Sequence, residues 1–291
     1  MEAPRLILAP LRGVTIRCFR RVFADAIREA GFTEAVAPFV TANAGVDPLK
    51  DRELRPSGEP EPRLLLTPQF IGKDPAALRF CLERIKSAGY ATADLNCGCP
   101  FPMVRNKGRG SGLLRTPGVL RQMLEVGCAA MGPGRFSVKA RLGVSRPDEL
   151  LALMPLINAF PLRFLAVHAR TAEQMYAGAC DTARLDEIVA AAKIPVVRNG
   201  DIPMPGPAGR QPDAPLMIGR AFLRRLGERA DIGALLDRYV AASQEELCGA
   251  RPVLGRLKEL LAYWKDLPRW RTRWQVAKLA RTLDELRVWR A

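Results

Sequence analysis

Two cysteines flank a glycine in Asn96-Cys97-Gly98-Cys99-Pro100, a segment whose residue types could do chemistry. A thiol can act as a proton donor, a nucleophile or a metal ligand, and this spacing alone leaves structural thiols, a metal site and catalysis open. The chain has seven cysteines, an odd number, and its first residues do not resemble an export signal. We therefore predict reduced thiols in a cytoplasmic protein.

The other candidate groups are one histidine and several basic and amide side chains. His168 is the single histidine, which excludes a metal site of several histidines and leaves only this residue for a Ser-His-Asp triad. We expect no metal. Lys139 and Arg141 are two residues apart, so they share one face of a strand. The glycine turns Asn199-Gly200-Asp201 and Gly219-Arg220 are typical of backbone N–H groups that bind phosphate.

Eight short apolar runs predict the strands that must position these groups. Such nearly continuous runs suit strands buried on both faces of a parallel sheet. The predicted strands are residues 6–10, 35–40, 64–70, 93–96, 136–141, 164–168, 195–199 and 215–219. The predicted helices between them are residues 15–29, 75–88, 117–131, 147–159 and 183–192. This alternation predicts an α/β fold, a (β/α)₈ TIM barrel, with a doubly wound open sheet as the alternative.

The candidate groups fall at the carboxyl ends of these strands, where a TIM barrel carries its active site. Polar side chains therefore converge on one rim, and the two glycine turns follow the seventh and eighth strands. We predict a phosphorylated cofactor or substrate at this rim, whose identity this reasoning leaves open. Residues 203–215 contain five prolines, so we expect an irregular loop in place of the seventh helix.

The end of the chain differs from the rest in composition. All four tryptophans lie in residues 251–291, which hold 11 Lys and Arg against 4 Asp and Glu. Apolar residues recur there at helical spacing, so we predict a catalytic barrel domain at 1–242 and a small C-terminal all-helical domain at 243–291. The default expectation is a monomer.

The net charge indicates the kind of partner. The chain carries 45 Lys and Arg against 30 Asp and Glu, a formal charge of +15. This excess favours a polyanion, without separating a nucleic acid from an anionic membrane surface. No apolar run is long enough to cross a bilayer, so we expect no membrane partner.

Six motifs, taken in order along the chain, resemble those of the tRNA-dihydrouridine synthases. They are Leu8–Thr15 (LAPLRGVT), Asp94–Pro100 (DLNCGCP), Val138–Arg141 (VKAR), His168–Thr171 (HART), Asn199–Ile202 (NGDI) and Met217–Arg220 (MIGR). The resemblance covers about residues 6–225. The basic C-terminal segment, residues 251–291 and called the basic tail below, is similar to the family's RNA-binding domain. The resemblance implies an FMN-binding barrel, NADPH or NADH as reductant, and reduction of the C5–C6 double bond of a uridine in tRNA.

The resemblance also implies roles for single residues. Cys99 would be the catalytic residue, protonating uracil C5 while reduced flavin delivers hydride to C6. Lys139 would stabilise the anionic reduced flavin. The full set of implied cofactor-binding residues is Pro10, Leu11, Arg12, Gln69, Lys139, His168, Asn199, Gly200, Asp201, Gly219 and Arg220. Asn96, Arg170 and Tyr176 would contact a flipped-out uridine. Arg269, Arg271 and Arg273 alternate with tryptophans, which favours RNA contact.

Some positions depart from the family pattern and keep alternatives open. Pro38 stands where the family usually has a glutamate, and the loop at 203–215 is shorter than usual and rich in proline. One alternative is an FMN-dependent barrel oxidoreductase for a small molecule, which would have no need of a basic tail. The other is a non-catalytic RNA-binding homologue, against which the presence of Cys99, Lys139, His168 and Asn199 argues.

Overall fold

The computed structural model describes residues 6–54, 64–206 and 213–290, and within these ranges one parallel sheet forms the centre of the fold. Its strands are β1 (Leu6–Leu8), β2 (Glu34–Val36), β3 (Val40–Thr41), β4 (Leu65–Thr67), β5 (Gln69–Ile71), β6 (Ala93–Cys97), β7 (Phe136–Gly143), β8 (Leu165–Thr171), β9 (Val196–Asn199) and β10 (Leu216–Ile218). These ten strands overlap the eight predicted runs, two of which contain two strands each. The agreement arises because buried strands of a parallel sheet are apolar on both faces.

The sheet closes into a ring of eight barrel strands. β2 and β3 are two parts of the second barrel strand, and β4 and β5 are two parts of the third, interrupted at Pro68. β2 pairs with β4 and β3 pairs with β5, while β1 pairs with both β2 and β10. Pro68 has no N–H to donate, but its carbonyl oxygen accepts from the Asp94 N–H at 2.9 Å. The predicted TIM barrel is confirmed.

Helices surround the barrel and follow it in the chain. They are α1 (Arg17–Val22), α2 (Ala24–Glu29), α3 (Pro75–Ser87), α4 (Pro102–Arg105), α5 (Pro117–Met131), α6 (Glu149–Ile157), α7 (Thr182–Ala191), α8 (Arg220–Leu226), α9 (Ile232–Glu246), α10 (Ala250–Leu261), α11 (Pro268–Ala277) and α12 (Leu283–Leu286). Short 3₁₀ helices span Pro48–Lys50, Gly110–Arg115, Ala262–Trp264 and Val288–Arg290. The helix predicted over 15–29 is divided into α1 and α2, because Phe23 leaves helical geometry (φ −95°, ψ 17°). Within the described ranges, every helix is too short or too polar to span a bilayer.

The connection between β9 and β10 is irregular where it is described. Residues 200–206 and 213–215 contain no helix, as the prolines predict. The middle of this connection, residues 207–212, lies outside the described residues.

The C-terminal helices pack against α8 and α9. The Trp264 indole N–H donates to the Leu223 carbonyl oxygen at 2.6 Å, and the Trp270 indole N–H donates to the Gly227 carbonyl oxygen at 2.8 Å. Both tryptophans are buried, with ring centroids 4.6 Å apart. These bonds fix the tail to the last helix of the barrel. The boundary predicted after residue 242 falls inside α9, and the division into two domains stays a prediction.

We expect Trp270→Phe to lower the free energy of unfolding by about 1–3 kcal/mol, because a buried carbonyl oxygen at Gly227 loses its donor. Denaturant unfolding with an unchanged m-value measures the loss. Trp274→Phe is the matched control, since Trp274 is only half-buried and lies one helical turn away. Equal stability losses in the two variants would show that the buried hydrogen bond contributes nothing.

Candidate functional site

A cavity of about 1150 Å³ opens at the carboxyl ends of the barrel strands. Most of the residues predicted for the site line it. These are Pro10, Leu11, Arg12, Asn96, Cys99, Lys139, His168, Tyr176, Asn199, Gly200, Asp201, Gly219 and Arg220. The barrel therefore brings the six motifs to one place, although they are spread over more than two hundred positions of the chain.

Cys99 lies in the wall of this cavity and is only 5% exposed. Its backbone N–H donates to Asn96 Oδ1 at 2.8 Å, and its carbonyl oxygen accepts from the Ser111 hydroxyl at 2.9 Å. Gly110 packs against it with φ +57°, and a Cβ at Gly110 would lie 2.8 Å from Cys99 Cβ. Burial raises the pKa of the Cys99 thiol above its ordinary value, so the sulfur keeps its proton at neutral pH, as a proton donor requires.

Cys97 has a different environment. It is the last residue of β6, is fully buried and does not line the cavity. Burial also raises its pKa, so it is an inert thiol in the barrel wall. Among the described residues, no three His, Cys, Asp or Glu side chains come together as metal ligands.

Lys139 places a cation at the cavity. Its Nζ donates to Asn199 Oδ1 at 3.0 Å, and Asn199 Nδ2 donates to the Met217 carbonyl oxygen at 2.7 Å, which fixes the amide. Within the described ranges, the hydrogen-bond partner of Lys139 is thus an amide oxygen and not a carboxylate. Burial, assisted by the charge of Arg141, lowers the pKa of Lys139 to about 8. A negative charge in the cavity would stabilise the protonated amine.

His168 is neutral in this structure. Arg170 Nη1 lies 3.3 Å from His168 Nε2, and since a guanidinium can only donate, Nε2 accepts and the ring proton lies on Nδ1. Burial, followed by the charges of Lys139 and Arg141, lowers the pKa of His168 to about 2. His168 therefore cannot act as a cationic acid at neutral pH, and its place in the wall suits contact with a bound molecule.

Asp201 joins two arginines at the end of β9. Its carboxylate accepts hydrogen bonds from Arg170 and Arg220, and the Arg170 bond is the main cause of its lowered pKa. The preceding Gly200 has φ +113°, and a Cβ there would lie 2.8 Å from Cys180 Sγ. Only glycine permits this turn, which places Asp201 beside the cavity.

Tyr176 presents an aromatic ring at the cavity and is 47% exposed. The guanidinium carbons of Arg141 and Arg220 lie 5.3 and 5.1 Å from its ring centroid, within cation–π distance. Arg141 is itself fixed, donating to the Gly98 carbonyl oxygen at 3.0 Å and to the Thr171 carbonyl oxygen at 2.9 Å. Two cations therefore contact the ring beside the cavity.

The other predicted residues do not line the cavity. Gln69 is fully buried, and its Nε2 donates to Asp94 Oδ2 at 2.8 Å. Arg170 is also buried, and its Nε donates to the Gly178 carbonyl oxygen at 3.1 Å. Arg269, Arg271 and Arg273 lie on α11, outside the cavity wall.

Sequence reasoning missed one wall of the cavity. It is formed by α10 and the turn that follows, through Arg256, Glu259, Tyr263, Lys265 and Asp266. No motif contains these residues, so the sequence held no signal for them. Pro38, at the position where a glutamate was expected, also lines the cavity and makes its edge apolar there.

Comparisons of the sequence with known proteins point to one family. The family model for dihydrouridine synthase matches residues 7–225. The tRNA-dihydrouridine synthase B of Pseudomonas aeruginosa is 34% identical over 224 residues, covering 75% of this chain and 65% of that protein. A probable tRNA-dihydrouridine synthase of Rhodobacter capsulatus is 30% identical over 241 residues, covering 80% and 72%. The chain thus spans just under two thirds of the length of the Pseudomonas relative.

Solved structures resemble the fold. The crystal structure of TcOYE with pHBA matches with a TM-score of 0.50 at 11% identity, covering 84% of this chain and 89% of that one. At this identity the match concerns the barrel architecture alone.

Proposed function

The chain belongs to the dihydrouridine synthase family, and from this premise we propose that it is a tRNA-dihydrouridine synthase. It reduces the C5–C6 double bond of a uridine in tRNA, with FMN as cofactor and NADPH or NADH as reductant, as a monomer in the cytoplasm. The observation that carries the proposal is the buried Cys99 thiol, whose pKa is raised by burial, in the same cavity wall as the Lys139 amine.

The residues present fit a flavin by volume and charge. A cavity of about 1150 Å³ exceeds the roughly 300–1,000 Å³ of common small-molecule sites, which leaves room for a base beside the cofactor. Lys139 offers a half-buried cation whose described partner is a neutral amide, so it can pair with negative charge on the ring system. Pro10, Leu11 and Arg12 line the wall just after β1, and Gly200 and Gly219 expose backbone at the neighbouring strand ends.

A bound reduced flavin would provide the hydride for uracil C6, and Cys99 would provide the proton for C5. The raised pKa of the thiol keeps that proton on sulfur until the base arrives. Lys139 stabilises the negative charge that accompanies the reduction. His168, being neutral, contacts the cofactor without competing as an acid.

The tRNA is recognised by both parts of the chain. The target uridine leaves its stack and enters the cavity, where Asn96 and Tyr176 contact it and Arg170 supports the wall behind. The barrel at 1–242 holds the flavin, and the basic helical region at 243–291 binds the tRNA backbone. Lys265 and Arg256 lie in the cavity wall, which supports contact between this region and the nucleotides that flank the target.

Three measurements on the purified protein test the proposal. The protein should carry a flavin that is released as FMN, should oxidise NADPH or NADH only when tRNA is added, and should leave dihydrouridine in that tRNA. A protein that cannot be reconstituted with FMN contradicts the cofactor assignment. Oxidation at the same rate with and without tRNA, with an enone as acceptor, would favour a small-molecule reductase.

Replacing Arg269, Arg271 and Arg273 together by glutamine should weaken tRNA binding and flatten its salt dependence. Each phosphate that the protein no longer neutralises reduces the steepness of log K against log salt by roughly 0.7–0.9, so a change of up to about 2–3 is expected. Arg28, Arg79 and Arg121, exposed on the outer helices α2, α3 and α5, form a control triple with the same loss of charge. Equal slopes in the two triple variants would place the tRNA elsewhere.

A further inference from the structure

A row of buried polar side chains runs behind the cavity wall. Asp94, Gln69 and Asn96 are 0%, 0% and 7% exposed. Gln69 Nε2 donates to Asp94 Oδ2 at 2.8 Å, and Asn96 Nδ2 donates to Gln69 Oε1 at 2.8 Å. At the far end, Asn96 Oδ1 accepts from the backbone N–H groups of Gly98 at 3.1 Å and Cys99 at 2.8 Å. Asp94 is thereby connected to the backbone of Cys99 through two amides.

The direction of every bond in this row follows from chemistry. An ionised carboxylate only accepts, so Gln69 must turn its NH₂ towards Asp94 and its oxygen towards Asn96. A backbone N–H only donates, so Asn96 must turn its oxygen towards Gly98 and Cys99. The two ends of the row therefore require the same orientation of both amides. Flipping Gln69 would place like groups against each other at two contacts, and flipping Asn96 would do so at three.

The ionised form of Asp94 is supported by its partners. Burial raises the pKa of Asp94 to about 6, against hydrogen bonds from the Ser137 hydroxyl and Gln69 that lower it. The Ser137 hydroxyl donates to Asp94 Oδ1 at 2.6 Å. Asp94 is thus mostly a carboxylate at neutral pH and has an acceptor role towards both neighbours.

We propose that Asp94 is a positioning residue which, through Gln69, fixes the orientation of the Asn96 amide and with it the backbone of Cys99. Asn96 lines the cavity, and with its oxygen held by two backbone groups it has only an N–H to offer there. Such a donor favours a ring carbonyl oxygen, as in uracil, over an amino group, as in cytosine. This consequence for the base rests on the proposed function, whereas the placement of Cys99 does not.

The first experiment measures the placement of Cys99 and needs no substrate. In the flavin-loaded Asp94→Leu variant, Cys99 should be alkylated by iodoacetamide about 10–100-fold faster than in the wild type, as measured by mass spectrometry. This factor is the one expected when a hydrogen bond to a charged group is lost. Hydrogen exchange of the Gly98 and Cys99 amides should rise with it. Cys18 and Cys81, fully buried elsewhere, are internal references that must not change. Unchanged alkylation of Cys99 relative to Cys18 would overturn the proposal, and so would an equal increase at all three cysteines.

Two control variants separate positioning from simple loss of stability. Asp94→Asn keeps an oxygen for Gln69 and should restore slow alkylation. Thr92→Val removes a buried hydrogen bond to the Thr67 hydroxyl, 2.8 Å away and outside the row, and should behave as the wild type. If Asp94→Leu does not fold, Asp94→Ala takes its place. If Cys99 is alkylated as fast in Thr92→Val as in the leucine or alanine variant, loss of any buried hydrogen bond has this effect, and the role of the row is refuted.

The second experiment tests the consequence for the base. The wild type should bind a tRNA transcript with uridine at its modified position more tightly than one with cytidine there, and Asp94→Leu should lose most of this ratio. A retained ratio in Asp94→Leu contradicts the proposed selection. If the wild type modifies no tRNA at all, the proposed function fails, while the alkylation result still decides the role of Asp94.

Discussion

Replacing Cys99 by alanine is expected to lower the rate of uridine reduction by at least about a hundredfold, while FMN stays bound. The reason is that the thiol lies in the cavity wall with its pKa raised by burial, which suits the role of proton source that we propose for it. Single-turnover kinetics of the reduced variant with tRNA measure the effect, and the flavin spectrum reports cofactor retention. An undiminished yield of dihydrouridine would exclude Cys99 as the acid.

Cys97→Ala is the matched control for this prediction. Cys97 stands two positions earlier, is fully buried at the end of β6 and does not line the cavity. Its loss should cost some stability, as a small buried side chain does, with little effect on the rate of reduction. A large rate loss in Cys97→Ala with a normal rate in Cys99→Ala would reverse the assignment of the two thiols.

Lys139→Met should reduce the turnover by about a hundredfold or more, the usual cost of removing a group that stabilises developing negative charge. Methionine retains the length and the apolar stem, so the barrel should still form. The rate of flavin reduction by NADPH, followed by stopped-flow, measures the loss. Lys265→Met is a suitable control, because Lys265 lines the outer part of the same cavity and is exposed. Equal effects of the two substitutions would argue against a specific role for Lys139.

The pH dependence of FMN affinity gives a second test of Lys139. Burial lowers its pKa to about 8, so in the free protein the amine is charged below pH 8 and neutral above it. An interaction that needs the charge is therefore present at pH 7 and fades as pH rises through 8. The ratio of FMN affinities between wild type and Lys139→Met, measured by fluorescence titration, should fall over this range. A constant ratio from about pH 6.5 to about pH 9.5 would show that the charge is not used.

The local pattern predicted the barrel and its proline-rich connection well, and the breaks within its strands and first helix poorly. Apolar runs identified all eight barrel strands, since a strand buried on both faces consists of nearly continuous apolar residues. The interruptions at residues 37–39 and at Pro68, and the break at Phe23, depend on how neighbouring strands and helices fit together. Pro38 and Pro68 lie at two of these positions, but neither a proline nor an apolar run shows that strand pairing resumes beyond it.

The candidate site was predicted as a set of positions, and the structure distinguished their surroundings. Gln69 was expected at the cofactor, yet its amide is hydrogen-bonded to Asp94 and Asn96 behind the wall. Arg170 was expected at the uridine, yet its guanidinium is buried against Gly178 and Asp201. A motif gives the strand end on which a residue lies, but the direction of its side chain depends on the partners that other strands provide.

The sequence by itself determined the eight-stranded alternation, the rim on which the polar groups meet, the basic excess and the family. These properties are local or additive, so they can be read from neighbouring residues. The tertiary structure decided which of two thiols faces the cavity, because the chain turns at Gly98 close to the Lys139 carbonyl oxygen. It also decided the direction in which the pKa values of Cys99, Lys139 and His168 are shifted, since desolvation depends on everything packed around a group. The tertiary structure also decided that α10 forms one wall of the cavity, because a contact between distant segments cannot be recognised in either segment alone.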